Sequence, residues 1–261
     1  MESRYALNNV YLILFGLLGQ VLLLWGVRRE GFYARWGAIA LAGVFFGAAA
    51  SVKWNGLWYL FGTLAIVVMA QGMVGWRSWF GNNATVSNSE GWWGRLGRLN
   101  PLGLLVCLTV VPGVFYFLEW IPHLLLNHKN GIWPDFLELQ WQILTYHQGV
   151  KAGKDVHPYC STWWSWLGMV RPVAYFYRID VNPQEIIPLN HPNPPALAGS
   201  LVYDVHAMGN PLLWWSSTVA IVLALLYDLG AIGRRRLDGL VRWINVGYLA
   251  NLLPWVGVTR C

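Results

Sequence analysis

The densest run of recognition chemistry in the chain is His157-Pro-Tyr-Cys-Ser-Thr-Trp-Trp-Ser-Trp-Leu-Gly-Met-Val-Arg-Pro172. Trp163, Trp164 and Trp166 put three indoles within four positions, with His157 upstream and Arg171 downstream. Indole rings are amphipathic and suit either a membrane–water boundary or the face of a sugar or lipid headgroup. An interfacial belt accounts for the tryptophans alone, and it needs neither the histidine nor the arginine. Two further cations stand at the edges of apolar runs: Arg4, before the first, and Lys53, in Ser51-Val-Lys-Trp-Asn-Gly56. A cation fixed at membrane depth is costly and usually faces a polar partner inside the protein. The phosphate of a lipid carrier is such a partner, and arginine can grip it with two parallel hydrogen bonds.

Each of these residues also has a plainer reading. Arg4 and Lys53 fit snorkelling residues at the interface, and Arg171 fits a loop salt bridge. His157 suits a proton shuttle, a sugar hydrogen bond or a structural role satisfied by backbone. The spacings among His123, His128, His147 and His157 match no zinc pattern, and Cys107, Cys160 and Cys261 are too scattered for a zinc site or disulfide framework, so no metal is expected. Asp135, Glu138, Asp155 and Asp180 form no diagnostic carboxylate pair.

The elements that must position these groups are membrane helices. Hydrophobic residues make up 56% of the 261 and charged residues 11%, against about 25% charged in soluble domains. The net charge of +6 is gathered in short basic clusters between apolar runs, a topology signal with no nucleic-acid-binding pattern beside it. Six apolar runs are long enough to be read as spans: 5–27, 36–50, 57–74, 101–121, 211–232 and 244–258. The basic loops 28–35, 75–100 and 234–242 are expected on the cytoplasmic side. Parity then puts Arg4, the Lys53 turn and the whole of 122–210 outside. The resulting organisation is 1–121 with four spans, 122–210 as an exoplasmic loop, and 211–261 with two spans. Small residues Gly47 to Ala50 before the Lys53 turn permit close helix packing. Within the outer loop, 134–150 reads as an amphipathic helix on the membrane with Pro134 in its first turn, and the proline-rich 181–211 reads as extended loop.

Four separated strings carry a family resemblance: E-S-R-Y-A-L-N-N-V-Y-L at 2–12, G-x-x-x-S-V-K-W-N-G-L at 47–57, H-P-Y-C-S-T-W-W-S-W at 157–166 with R-P at 171–172, and N-L-L-P-W at 251–255. In this order, over nearly the whole chain, they resemble the bacterial protein O-mannosyltransferases, which are GT-C membrane glycosyltransferases. The resemblance implies an all-α polytopic helix bundle in the cytoplasmic (inner) membrane with its active side exoplasmic. It implies a polyprenyl-phosphate-mannose donor, an exported protein acceptor with Ser or Thr hydroxyls, and no cofactor. Arg4, Lys53, Asn55 and Arg171 would handle the donor phosphate. His157, Tyr159, Ser161, Trp163, Trp164 and Trp166 would belong to the substrate loop. The family's catalytic Asp-Glu pair lies in an outer loop ahead of the S-R motif, and its members have about eleven spans. The chain is therefore expected to be a fragment without the base that activates the acceptor, and inactive alone.

Two readings from other classes compete. A haem-handling protein of cytochrome assembly also carries a tryptophan-rich outer motif, but it requires W-G-x-x-W-x-W-D, and no Asp follows Trp166. A non-catalytic membrane scaffold would leave Arg4 and Lys53 without purpose.

Overall fold

The structure is a computed structural model, and it describes residues 8–80, 91–127, 129–149, 163–170, 173–180, 201–207, 209–230 and 239–256. The described residues fall into two compact units, one of 1–150 with 223–258 and one drawn mainly from 151–222.

The first unit is a helix bundle. Helix α1 (Asn9–Val27) and α2 (Phe32–Val52) form its most extensive pair, and α3 (Leu57–Phe80) follows a single 3-10 turn, Trp54–Gly56. The short α4 (Trp92–Gly97) packs on α1 and α3. The next span is α5 (Pro101–Leu105), a π turn (Val106–Val110) and α6 (Val111–Asn127), followed by α7 (Ile132–Gly149). The last helix of the unit, α10 (Gly239–Val256), packs against α3. Among the described residues five helical stretches are long and apolar enough to cross a membrane: 9–27, 32–52, 54–76, 101–127 and 211–228. Many of their large apolar side chains are exposed, as a surface facing lipid tails requires. The chain is thus a multi-pass membrane protein.

Local chemistry explains where the later spans begin. Both 100–102 and 210–212 read Asn-Pro-Leu. Asn100 accepts hydrogen bonds from the amides of Leu102 (2.9 Å) and Gly103 (3.2 Å), and Asn210 from those of Leu212 (3.0 Å) and Leu213 (3.3 Å). Each asparagine caps two amides that would otherwise lack partners, and each proline takes the first helical position, where its missing N–H costs nothing. The π turn lies just before Pro112, whose ring would clash with the carbonyl four residues back in a regular helix.

The small-residue stripe on α2 acts as expected. A Cβ on Gly43 would lie 2.0 Å from the Cys107 carbonyl oxygen, and one on Gly47 2.7 Å from that of Pro112, so the α2 and α6 backbones meet directly. Phe46, Ile39, Leu23, Ile66 and Leu108 fill the core beside this contact.

The second unit contains α8 (Trp163–Gly168), strands β1 (Val173–Asp180) and β2 (Leu201–Ala207), and the first part of α9 (Pro211–Asp228). The strands pair antiparallel, with a register shift between Ala174 and Phe176.

The structure modifies four expectations. The bundle is α-helical, but the described residues add the two-stranded sheet. Strand β2 occupies part of 181–211, because alternating Leu201-Val-Tyr-Asp-Val205 is free of the prolines that interrupt the segment before it. The fourth span continues past Ile121 to Asn127, carrying Pro122 inside the helix and taking His123 out of the loop. The final helix exists over 239–256, but it falls short of the apolarity of the other spans, with Arg242 and two asparagines within it.

Candidate functional site

Lys53 stands where α2 stops. Its backbone is extended (φ −165°, ψ 143°), so the helix ends there and the 3-10 turn of Trp54, Asn55 and Gly56 begins. The Lys53 amide still donates to the Ala49 carbonyl (3.3 Å), and the Gly56 amide donates to the Lys53 carbonyl (2.8 Å). Gly56 is buried against the end of α2, where a Cβ would come within 2.3 Å of the Ala49 carbonyl. Only glycine permits so close an approach of backbone to backbone. On the remaining side, the Asn8 amide reaches the Val52 carbonyl (3.4 Å).

The turn is therefore fixed while its cation is left available. Lys53 is exposed, and among the described residues its ammonium has no hydrogen-bond or ion-pair partner. Asn55, half-buried, shares the turn. A polar chain runs sideways from it: the Trp54 indole N–H donates to the Tyr116 hydroxyl (3.0 Å), which donates to Gln140 Oε1 (2.7 Å). These bonds put α7 at the same end of the bundle as the Lys53 turn. Next to the turn, an apolar cleft of about 360 Å3 runs between α2, α3 and α6, lined by Phe46, Trp54, Leu57 and Phe61, with Thr109, Tyr116 and Gln140 as its polar members.

The opposite end of the unit is closed by an ion pair. Arg242 binds Asp228 through Nε (3.2 Å) and Nη2 (3.1 Å), reaches the Met73 sulfur (3.5 Å) and lies 5.5 Å from the Trp93 ring. The ends of α3, α9 and α10, all bordering the basic loops, thus meet together.

The described carboxylates near α7 are committed to structure. Asp135 is buried and accepts from the amides of Lys129 (2.6 Å) and Asn130 (3.2 Å), and Glu138 accepts from Gln142 one turn on (3.1 Å). Among the described residues no cluster of His, Cys, Asp and Glu is suited to a metal.

In the second unit the tryptophan motif forms α8, anchored by its carbonyl end. The Val170 amide donates to Ser165 (3.0 Å) and the Met169 amide to Trp166 (3.1 Å), with Met169 in the left-handed region at φ 52°. This is the two-bond closure that satisfies the last carbonyls of a helix. Side chains of α9 complete it: Trp214 donates to the Trp166 carbonyl, Trp215 to Gly168 (2.9 Å) and Thr218 to Leu167 (2.7 Å). Ser165 is buried, Trp163 and Trp166 are half-buried, and Trp164 is 59% exposed.

Of the sequence candidates, Lys53 and Asn55 share one turn, and Trp163, Trp164 and Trp166 share one short helix. Arg4, His157, Tyr159, Ser161 and Arg171 lie outside the described residues. Sequence reasoning passed over Tyr116 and Gln140, which look like an isolated tyrosine in a span and a polar residue on a surface helix. It also passed over Trp214, Trp215 and Thr218, which fall inside the expected span 211–232.

Comparisons with known proteins agree with the motif order. Residues 1–127 match the family described as dolichyl-phosphate-mannose-protein mannosyltransferase, and residues 132–261 match the C-terminal four-transmembrane region of protein O-mannosyltransferase. Three curated relatives carry the name polyprenol-phosphate-mannose–protein mannosyltransferase. That of Corynebacterium glutamicum is 25% identical over 87% of this chain and 42% of its own length. That of Mycolicibacterium smegmatis is 24% identical over 98% and 52%. That of Mycobacterium tuberculosis is 26% identical over 88% and 42%. The chain spans about half the length of these relatives, and no solved structure matches it. With the two family matches running in order along almost its entire length, this chain belongs to the protein O-mannosyltransferase family.

Proposed function

We propose that the chain is the donor-handling part of a protein mannosyltransferase that takes mannose from polyprenyl phosphate and delivers it to hydroxyls of exported proteins. The observation that carries this reading is the Lys53 turn: a rigid backbone, an exposed ammonium without a partner among the described residues, and an apolar cleft beside it. A polyprenyl phosphate needs these features together, a cation for its phosphate and an apolar groove for its chain. Lys53 and Asn55 hold the phosphate; Arg4 and Arg171, the other donor-binding candidates of the sequence, lie outside the described residues. Holding the departing phosphate stabilises charge that develops as the sugar–phosphate bond breaks. Trp163, Trp164 and Trp166, with His157, Tyr159 and Ser161, make up the loop that receives sugar or acceptor. The turn lies on the exoplasmic side of the cytoplasmic membrane, with the Arg242–Asp228 end inside. The basic loops support this orientation, and the relatives' names support the donor.

The test is binding of labelled polyprenyl-phosphate mannose to the detergent-purified protein. Saturable binding, displaced by polyprenyl phosphate and not by free mannose, is expected. Displacement by free mannose alone would contradict the phosphate-centred reading, and a haem absorbance band on the purified protein would favour the cytochrome-assembly alternative.

A further inference from the structure

We infer that Tyr116 is a positioning residue that sets the Lys53 turn through its paired hydrogen bonds to Trp54 and Gln140; this rests on reading Lys53 as the phosphate grip. Tyr116 lies within the apolar α6, where a lone hydroxyl must find partners or incur a desolvation cost. It finds two, each on a different element: the indole N–H of Trp54, 62 residues earlier, and the amide oxygen of Gln140, 24 residues later. Its ring is held edge-on against Phe136 (6.2 Å) and Trp120 (6.3 Å), so the hydroxyl has little freedom to swing. Gln140 Nε2 is buried without a hydrogen-bond partner among the described residues, so the Tyr116 hydroxyl fixes this amide through its oxygen alone.

Trp54 is the residue immediately after Lys53. Among the described residues the lysine side chain has no polar partner, so its location there follows from its backbone. Ala49 holds that backbone from behind and Gly56 from ahead, and the Trp54–Tyr116 bond holds it from the side. Hydrogen bonds linked in series in a low-dielectric setting stiffen one another. Removing the phenolic oxygen leaves the crowding of Gly56 on Ala49 intact and frees the sideways anchor. The ammonium then samples a wider volume, and less of it coincides with the phosphate.

The experiment is a double-mutant cycle on purified full chain, titrated with polyprenyl phosphate. Tyr116→Phe should weaken binding roughly 2- to 10-fold, the scale of one neutral hydrogen bond. In a Lys53→Ala background the same change should do almost nothing, because the anchor acts through the lysine. Gln140→Leu, which keeps the Trp54 bond, should give a smaller loss and serves if Tyr116→Phe folds poorly. Amide exchange supplies a readout independent of the ligand: Tyr116→Phe should accelerate exchange at Lys53 and Gly56 at least severalfold while leaving α8 unchanged. Full additivity with Lys53→Ala, or unchanged exchange at the turn, overturns the inference. Faster exchange without any polyprenyl-phosphate binding by the wild type would instead uphold the anchor and remove the proposed donor.

Discussion

The Lys53 turn and the Trp163–Gly168 helix are both short, both centred on residues proposed for recognition, and held by opposite means. At Lys53 the backbone is immobilised by crowding, Gly56 against Ala49, and the side chain has no partner among the described residues. At α8 the carbonyl end is held by side chains reaching in from α9, with Trp163 and Trp166 partly packed. A cation acts through a charge at the end of a flexible stem, so the protein fixes its root and leaves its head free for a ligand. A platform of rings acts through the planes of the rings, so the segment carrying them is held as a whole. The first device has no slack; the second is a set of separate ties, each replaceable.

That contrast orders the expected mutational effects. The largest belongs to Gly56→Val. Its new atoms would meet backbone 2.3 Å away, which cannot move aside as a side chain can. Overpacking of this kind costs about 3 kcal/mol, to be read as a lowered unfolding midpoint of the solubilised protein together with lost polyprenyl-phosphate binding. A stability equal to wild type would mean that the turn has slack after all.

Cutting ties at α8 should hurt less and in steps. Thr218→Val removes the bond to the Leu167 carbonyl and should cost about 1 kcal/mol, with Trp215→Phe similar and the double variant near their sum. Amide exchange over 163–170 measures this, and a collapse on losing either tie alone would show one cooperative lock in place of separate ties.

Relief of strain is the next smaller effect. Met169 carries a side chain at φ 52°, where glycine is at ease, so Met169→Gly should stabilise the segment by about 0.5–1 kcal/mol. Slower exchange over 163–170 is the expected sign, and faster exchange would assign the methionine side chain a packing role. Trp164→Ala should be the mildest for stability, within about 0.5 kcal/mol, because that ring is mostly exposed. Its effect should appear in donor-sugar recognition, read as weaker binding of polyprenyl-phosphate mannose at unchanged melting temperature.

The sequence made the bundle legible because apolar length is a one-dimensional signal: 36–50 and 57–74 anticipate α2 and α3, though α2 runs longer at both ends and α3 at its C-terminal end. The stripe of Gly47 and alanines announced a close helix contact, and Pro134 marked the start of the surface helix within two residues. Lys53 stood out as a charge where charge is costly. The sideways anchor was illegible, since Tyr116 and Gln140 gain meaning only when α6 and α7 meet. The π turn was likewise hidden, because Pro112 signals a local defect without saying whether the helix will kink, break or widen. Strand β2 was obscured by the prolines that precede it, which coloured the whole segment as loop.

Lys53 is the proposed phosphate grip, and a paired titration tests that role most directly. Wild type and Lys53→Ala, purified alike, are titrated with polyprenyl phosphate while their unfolding midpoints are compared. Loss of a charge-assisted contact is worth about 1.5–3 kcal/mol, so binding should weaken about 10- to 150-fold. The midpoints should agree, since the ammonium has no partner to lose among the described residues. Equal affinities, or a loss matched by a fall in stability, would contradict the assignment and return Lys53 to the role of an interfacial residue.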